Sequence, residues 1–176
     1  MAHGDPKHPQ KNPHPVQRYE VIATADAPGP WDRVSGYMEY QVTNPECTPK
    51  NEFEGVHAMP PFAGHEFEMT RVNDTTWKGY FYRDYLQDED YYGLGLCRWG
   101  PASISAVFVT HDEVFGSGSV FDDFMRHGAS TEYFKKADFL KRPFKQAYGT
   151  APDDPEVLKN PNAFFSITVA IKEVKP

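Results

Sequence analysis

The sequence predicts a mainly β domain, most simply an antiparallel β-sandwich of Ig-like general architecture with one or two short helices near the C-terminus. Three observations carry that expectation. The apolar mass is aromatic, with 13 Phe, 10 Tyr and three Trp, whereas Leu is confined to positions 86, 94, 96, 140 and 158. Aromatic residues suit a pleated, half-buried surface and Leu favours helices. The 16 Pro and 13 Gly are spread along the chain and leave little room for long helices. Several stretches also alternate apolar and polar residues with the period of a strand.

Residues 1–16 are polar and Pro-rich, with His3, His8 and His14 loosely spaced. Such a segment has too little apolar surface for a core and reads as a flexible arm ahead of a single domain over 17–176. Tyr19, Val21 and Ala23 share one face of a first strand, and Pro28-Gly29-Pro30 signals a turn. Val34, Gly36, Met38, Tyr40 and Val42 alternate with polar neighbours in the clearest strand. A long connection with four prolines follows over 44–64. His65, Phe67 and Met69, then Trp77, Gly79 and Phe81, flank Asn73-Asp74, the pattern of a hairpin whose turn residues tolerate positive φ. Ile104, Ala106 and Phe108 mark another strand, and Gly116–Phe121 extends the sheet.

From about 128 to 162 the signal turns helical. Ser130 reads as a cap ahead of a stripe of Tyr133, Phe134, Phe139 and Leu140. Asp154-Pro155 reads as a cap followed by Pro in the first helical position. Phe165, Ile167, Val169 and Ile171 form the closing strand. Seven or so strands with one bridging disulfide fit a sandwich, and an open barrel is the alternative.

Net charge is −7 and uneven: +2 over residues 1–18, −11 over 19–126 and +2 over 127–176. An acidic body repels phosphate backbones, which argues against nucleic acid, and it would steer a basic protein or a cation toward the surface. Cys47 and Cys97 have no CxxC partner and no Cys/His ligand set. The expectation is a disulfide, contributing about 4 kcal/mol by chain entropy, and hence an oxidising compartment; two separate buried thiols are the alternative. No run of about 18 apolar residues predicts a membrane span. The N-terminus lacks an apolar signal core, so any signal peptide is expected to have been removed.

Catalytic signals are weak. Gly116-Ser117-Gly118-Ser119 does not fit G-x-S-x-G, and His111-Asp112-Glu113 alternates between faces. Asp84, Asp88, Glu89 and Asp90 offer carboxylates for calcium, with Asp84, Asp88 and Asp90 the best set, but without EF-hand spacing. His57, His65, Glu52, Glu54 and Glu66 have no HExxH-like spacing. Paired carboxylates for glycoside cleavage are not identifiable among so many acidic residues. The expectation is therefore a non-enzyme without a cofactor, calcium being the one candidate. The basic residues Lys135, Lys136, Lys141, Arg142 and Lys145 read as a solvated face.

The most distinctive stretch is Tyr80-Phe81-Tyr82-Arg83-Asp84-Tyr85 followed by Asp88-Glu89-Asp90-Tyr91-Tyr92-Gly93. Tyr combines a large, fairly rigid contact area with a polar tip and is enriched at interfaces. Tyr85, Tyr91 and Tyr92 are expected to anchor a protein partner with a basic surface, with Asp84, Asp88, Glu89 and Asp90 steering it. A carbohydrate or cell-wall module using Trp31, Trp77 or Trp99 as a stacking platform is the alternative.

In texture, the Pro-rich arm, the single cysteine pair and the run Glu89–Trp99 resemble small exported domains of Gram-negative bacteria, including lipoprotein-like immunity proteins that neutralise antibacterial effectors. The resemblance implies a periplasmic or outer-membrane-anchored protein that blocks a toxin or hydrolase.

Overall fold

Strands form where the alternating runs lie between polar, Gly- or Pro-containing segments. In the computed structural model, which describes residues 1–141 and 146–176, the elements are β1 (Arg18–Ala25), β2 (Arg33–Val42), β3 (Phe62–Arg71), β4 (Thr76–Tyr82), β5 (Trp99–Thr110), β6 (Glu113–Val120), α1 (Phe121–His127), β7 (Ala129–Lys135), α2 (Lys136–Lys141), β8 (Gln146–Ala147), α3 (Pro155–Lys159) and β9 (Phe164–Val174). The nine strands make one sheet in the order β7-β9-β1-β4-β3-β2-β5-β6-β8. Every pairing is antiparallel except β6 with β8.

The mainly β expectation holds, but the architecture is a mixed sheet nearly closed into a barrel, closer to the open-barrel alternative than to two facing sheets. The two ends of the sheet meet through side chains and a short bridge. Ser117 Oγ and the Gly118 N–H both donate to Glu132 Oε1, at 3.1 and 3.2 Å. Tyr133 and Thr150 exchange two main-chain bonds of 2.8 Å, which carries the chain after β8 across to β7. These contacts pair edge groups that an open sheet would leave exposed.

The inward-facing set is the one the alternation marks. Val21, Met38, Tyr40, Ile104, Ala106, Phe108, Ile167 and Val169 are essentially inaccessible to solvent. Phe115 sits among the rings of Trp31, Phe134, Phe139 and Phe165, at centroid distances of 5.2–6.1 Å. Aromatic rings thus fill a barrel interior that aliphatic side chains fill elsewhere. At Gly36 an added Cβ would lie 2.1 Å from the Phe67 ring, so the ring occupies the space a side chain on β2 would need.

Three expectations need correction or a different reason. Residues 129–135, expected to be helical behind a Ser130 cap, form β7; the apparent stripe of Tyr133 and Phe134 is satisfied by pairing with β9, Phe134 opposite Phe165. Helix begins only at Lys136. The β3–β4 hairpin forms, but neither Asn73 nor Asp74 has positive φ; Asn73 Oδ1 instead accepts the Thr75 N–H at 3.0 Å. The positive-φ turn lies between β5 and β6, at His111 (48°) and Asp112 (68°), as a tight two-residue hairpin turn requires. The Asp154 cap is as expected, its side chain accepting the Glu156 N–H at 2.9 Å. Finally, residues 1–16 lie along the body: His3 N–H donates to Asp90 O, Gln87 N–H to Gln10 O, and Lys11 bridges to Leu86.

Candidate partner-binding surface

Two connections meet at the end of the barrel where β2 and β4 finish. One runs from β2 to β3 and the other from β4 to β5, and a Cys47–Cys97 disulfide ties them. Polar bonds reinforce the tie. Asn44 Nδ2 donates to Leu96 O at 2.7 Å, and its Oδ1 accepts the Arg98 N–H at 2.7 Å. Beneath the disulfide lies a small second core of Val42, Cys47, Tyr91 and Cys97, with Tyr92 and Trp99 against it.

Most of the acidic-aromatic run builds this end from within. The Asp84 carboxylate accepts the N–H groups of Val16 and Gln17, each at 2.9 Å, and its carbonyl accepts from Asn12 Nδ2 at 2.8 Å. Asp88 accepts the Trp99 N–H at 2.9 Å. Asp90 accepts the Gly93 and Leu94 N–H groups at 2.7 and 3.0 Å. Glu89 bridges to Cys97 through the main chain. The Asp84, Asp88 and Asp90 carboxylates order the loop by satisfying main-chain donors, as short acidic side chains do in turns.

The tyrosines expected as anchors divide. Tyr91 is only 5% exposed and its hydroxyl accepts from Trp99 Nε1 at 2.9 Å, so it is a core ring and not an anchor; burial pushes its phenol pKa up, against the opposing effect of the Trp99 bond. Tyr85 is half-buried, with His65 stacked 4.1 Å away, Tyr40 at 5.7 Å and Lys11 near its face. Burial and then Lys11 push the His65 pKa down. Tyr92 is half-buried beside a shallow cleft it shares with Lys7, Met59 and Phe62, and Asp88 is exposed.

The calcium set is not assembled: Asp84, Asp88 and Asp90 each turn to separate main-chain N–H groups, and no group of three or more His, Cys, Asp or Glu suited to a metal occurs among the described residues. His57 is drawn to Thr48 O at 3.0 Å, away from His65 on the Tyr85 stack. Trp77 is buried, and Trp31 and Trp99 are half-buried, so none of the three is an open stacking platform. In the basic cluster Lys135 pairs with Glu156 at 3.2 Å, Lys136 opens α2, and Arg142 and Lys145 lie outside the described residues.

The apolar groups that do face solvent come from the connection between β2 and β3. Residues 50–57 form a small hairpin, closed by Lys50 and His57. The Asn51 N–H donates to Val56 O at 2.7 Å, and the Gly55 N–H to Asn51 O at 2.8 Å. Gly55 has φ of 67°, a conformation glycine adopts without a Cβ clash. Asn51 Oδ1 accepts the Phe53 N–H at 3.0 Å and fixes the tip. Phe53 therefore stands fully in solvent between Glu52 and Glu54, with Met59 81% and Phe62 60% exposed behind it. Across the disulfide, Leu94 and Leu96 are each about half exposed.

An acidic face adjoins these groups. On the outer surface of β2 and β3, Tyr37 is paired with Glu66 and Ser35 with Glu68, while Glu39 faces Gly64. Tyr37 lies across Gly64, where a Cβ would meet its hydroxyl at 2.0 Å. Exposed rings and aliphatic groups in an acidic rim are the composition of a protein-docking surface. Sequence reasoning treated 44–64 as a connection and passed over it; the signal was Phe53 between two glutamates in a stretch with no strand pattern.

No protein-family model, no curated protein and no solved structure matches this chain.

Proposed function

We propose that this is a non-enzymatic binding protein of the bacterial envelope that blocks a toxin or hydrolase by docking the end surface of its barrel on a basic patch of that protein. Phe53, Met59 and Phe62 enter apolar pockets of the partner, with Leu94 and Leu96 at the edge. Glu52, Glu54, Glu66 and Glu68 steer and pair with its Lys and Arg.

The observation that carries this reading is Phe53, held in full exposure by an ordered turn and flanked by acidic residues. A large ring in water gains nothing for folding, and a built turn that displays it calls for an occupant. The chemistry is that expected of the acidic-aromatic run, moved to the adjoining connection. The disulfide supports an oxidising compartment. No helix among the described residues is long and apolar enough to cross a membrane.

The test is a pull-down with the full chain from envelope and secreted fractions of its source, compared with the Phe53→Ser, Met59→Ser double variant. Both positions are exposed, so the variant keeps the fold. The native chain should retain a stoichiometric protein partner that high salt weakens. The double variant should bind it at least ~30-fold more weakly, as loss of an interface hot spot implies. Equal retention by both chains, or none by either, overturns the proposal.

A further inference from the structure

The end of β2, the start of β5 and the start of α1 border a cleft of about 650 Å³. Pro60, Pro101, Ala102 and Val120 give it apolar walls, and Arg83 and Asp122 are the charged residues that line it. These groups are within reach of solvent: Arg83, Asp122 and Val120 are exposed, and Pro60, Pro101 and Ala102 are half-buried. None of Phe53, Met59, Phe62, Leu94 or Leu96 lines the cleft. Its volume is in the range that small ligands occupy.

Three features distinguish this cleft from an ordinary surface hollow. First, its cation is held in place but left open. The Arg83 guanidinium lies over the Phe121 ring, 5.3 Å from the centroid, and that ring is itself buried. Stacking fixes the plane of a guanidinium and leaves its edge, which carries the N–H donors, for an anion. Neither the Arg83 guanidinium nor the Asp122 carboxylate makes an ion pair or a hydrogen bond among the described residues. Second, a β-bulge shapes the wall. Glu39 is opposite Ser103 and Tyr40 opposite Pro101, so Ala102 is an extra residue on β5. Bulges recur at barrel rims and beside sites, where they re-aim a strand. Third, the walls are tied down without a ligand. The Val42 N–H donates to Pro61 O at 2.9 Å and the Thr43 N–H to Arg98 O at 2.8 Å. The short 3₁₀ turn Pro45–Cys47 is anchored by the disulfide. A preformed cleft loses little to ordering when it is filled.

We propose that this cleft binds a short apolar peptide with free termini, its carboxylate on Arg83, its ammonium on Asp122 and its side chains against Pro60, Pro101 and Val120. The guanidinium suits a carboxylate, which it binds through paired N–H donors. Two opposite charges that line one cleft without pairing call for a ligand that carries both signs. A dipeptide separates its terminal charges more widely than a free amino acid does, which matches protein groups too far apart to join each other. Aliphatic side chains match walls of Pro, Ala and Val. Peptide binding here does not involve the groups that dock a protein through Phe53, so either reading can fail its test without the other.

The probe is leucyl-leucine, titrated into the uniformly ¹⁵N-labelled full chain while the backbone amide resonances of Ala102, Val120 and Asp122 are followed. Its N-acetyl form removes the ammonium, and its C-terminal amide removes the carboxylate. Saturable shifts at the three amides, with a Kd of about 1 mM or tighter, are the expected result. Amides of Ile167 and Val169 in β9 should not move. Each blocked form should bind at least about tenfold more weakly, as loss of a charge-assisted hydrogen bond implies. Arg83→Gln and Asp122→Asn should each weaken leucyl-leucine about tenfold while keeping a dispersed spectrum, because both side chains are exposed. Arg83→Gln should leave binding of the amide unchanged, and Asp122→Asn that of the N-acetyl form, since each of those ligands lacks the charge concerned. No saturable shift at these amides, equal binding of the blocked forms, or an unchanged leucyl-leucine Kd in either variant overturns the proposal.

Discussion

Single residues here are placed by opposing demands of burial and charge, and His65 is the clearest case. It occupies an inward-facing position of β3 beneath Tyr85, where burial and Lys11 both disfavour its protonated form. Its folded pKa lies below the ordinary value of 6.5. The unfolded chain therefore takes up the proton first as pH falls, and folding stability contributed by neutral His65 is complete above pH 6.5 and declines from there down to the folded pKa. Urea denaturation at a series of pH values should show that decline in the native chain and a flatter profile in His65→Phe. Parallel profiles would mean that other groups carry the pH dependence. Phe115 illustrates the uncharged counterpart: wholly buried among four other rings, it has no polar atom to satisfy, and only volume matters.

At the scale of elements, the acidic side chains act as clips between the N-terminal segment, the 84–98 connection and the barrel. Asp84 is the main one, accepting two consecutive N–H groups at the entry to β1. Asp84→Ala removes both acceptors but leaves the Asp84 carbonyl that holds Asn12. Hydrogen exchange at the amides of Val16 and Gln17 should then quicken by about tenfold or more, the rate change that loss of roughly 1.4 kcal/mol of local protection produces. Amides of β9 should keep their protection. Equal acceleration throughout would show that Asp84 supports the whole sheet rather than this junction. The two ends of the sheet depend on one acidic side chain in the same way, since Glu132 receives both Ser117 and Gly118.

The whole molecule is a mixed nine-stranded sheet nearly closed into a barrel. The disulfide ties the two connections at the end with Phe53, 50 residues apart in sequence, and covers the small core around Tyr91. Replacing both cysteines by Ala should lower unfolding free energy by about 4 kcal/mol, the loop-closure entropy restored to the unfolded chain. Chemical denaturation of the two forms measures this. A loss well under 1 kcal/mol would mean that the polar bonds of Asn44 and the packing of Tyr91 hold that end unaided.

The sequence by itself determined the strand faces, the disulfide and the α3 cap, because each depends on local periodicity or on a small set of partners. Val34 to Val42 and Phe165 to Ile171 read correctly for that reason, and so did the mainly β class. Tertiary structure decided what local pattern leaves degenerate. Tyr133 and Phe134 fit a helical stripe or a strand equally well, and only pairing with β9 makes them a strand. Curvature of nine strands into a near-barrel depends on how distant edges meet, through Glu132 and Thr150, which no short window contains. The acidic-aromatic run was visible as a composition, but its role was not: its Asp84, Asp88 and Asp90 carboxylates accept the main-chain N–H groups of Val16, Gln17, Gly93, Leu94 and Trp99, and Tyr91 is buried beneath the disulfide. Exposure is set by what packs against a residue from elsewhere in the chain, so the same physics left Phe53 in solvent and buried Tyr91.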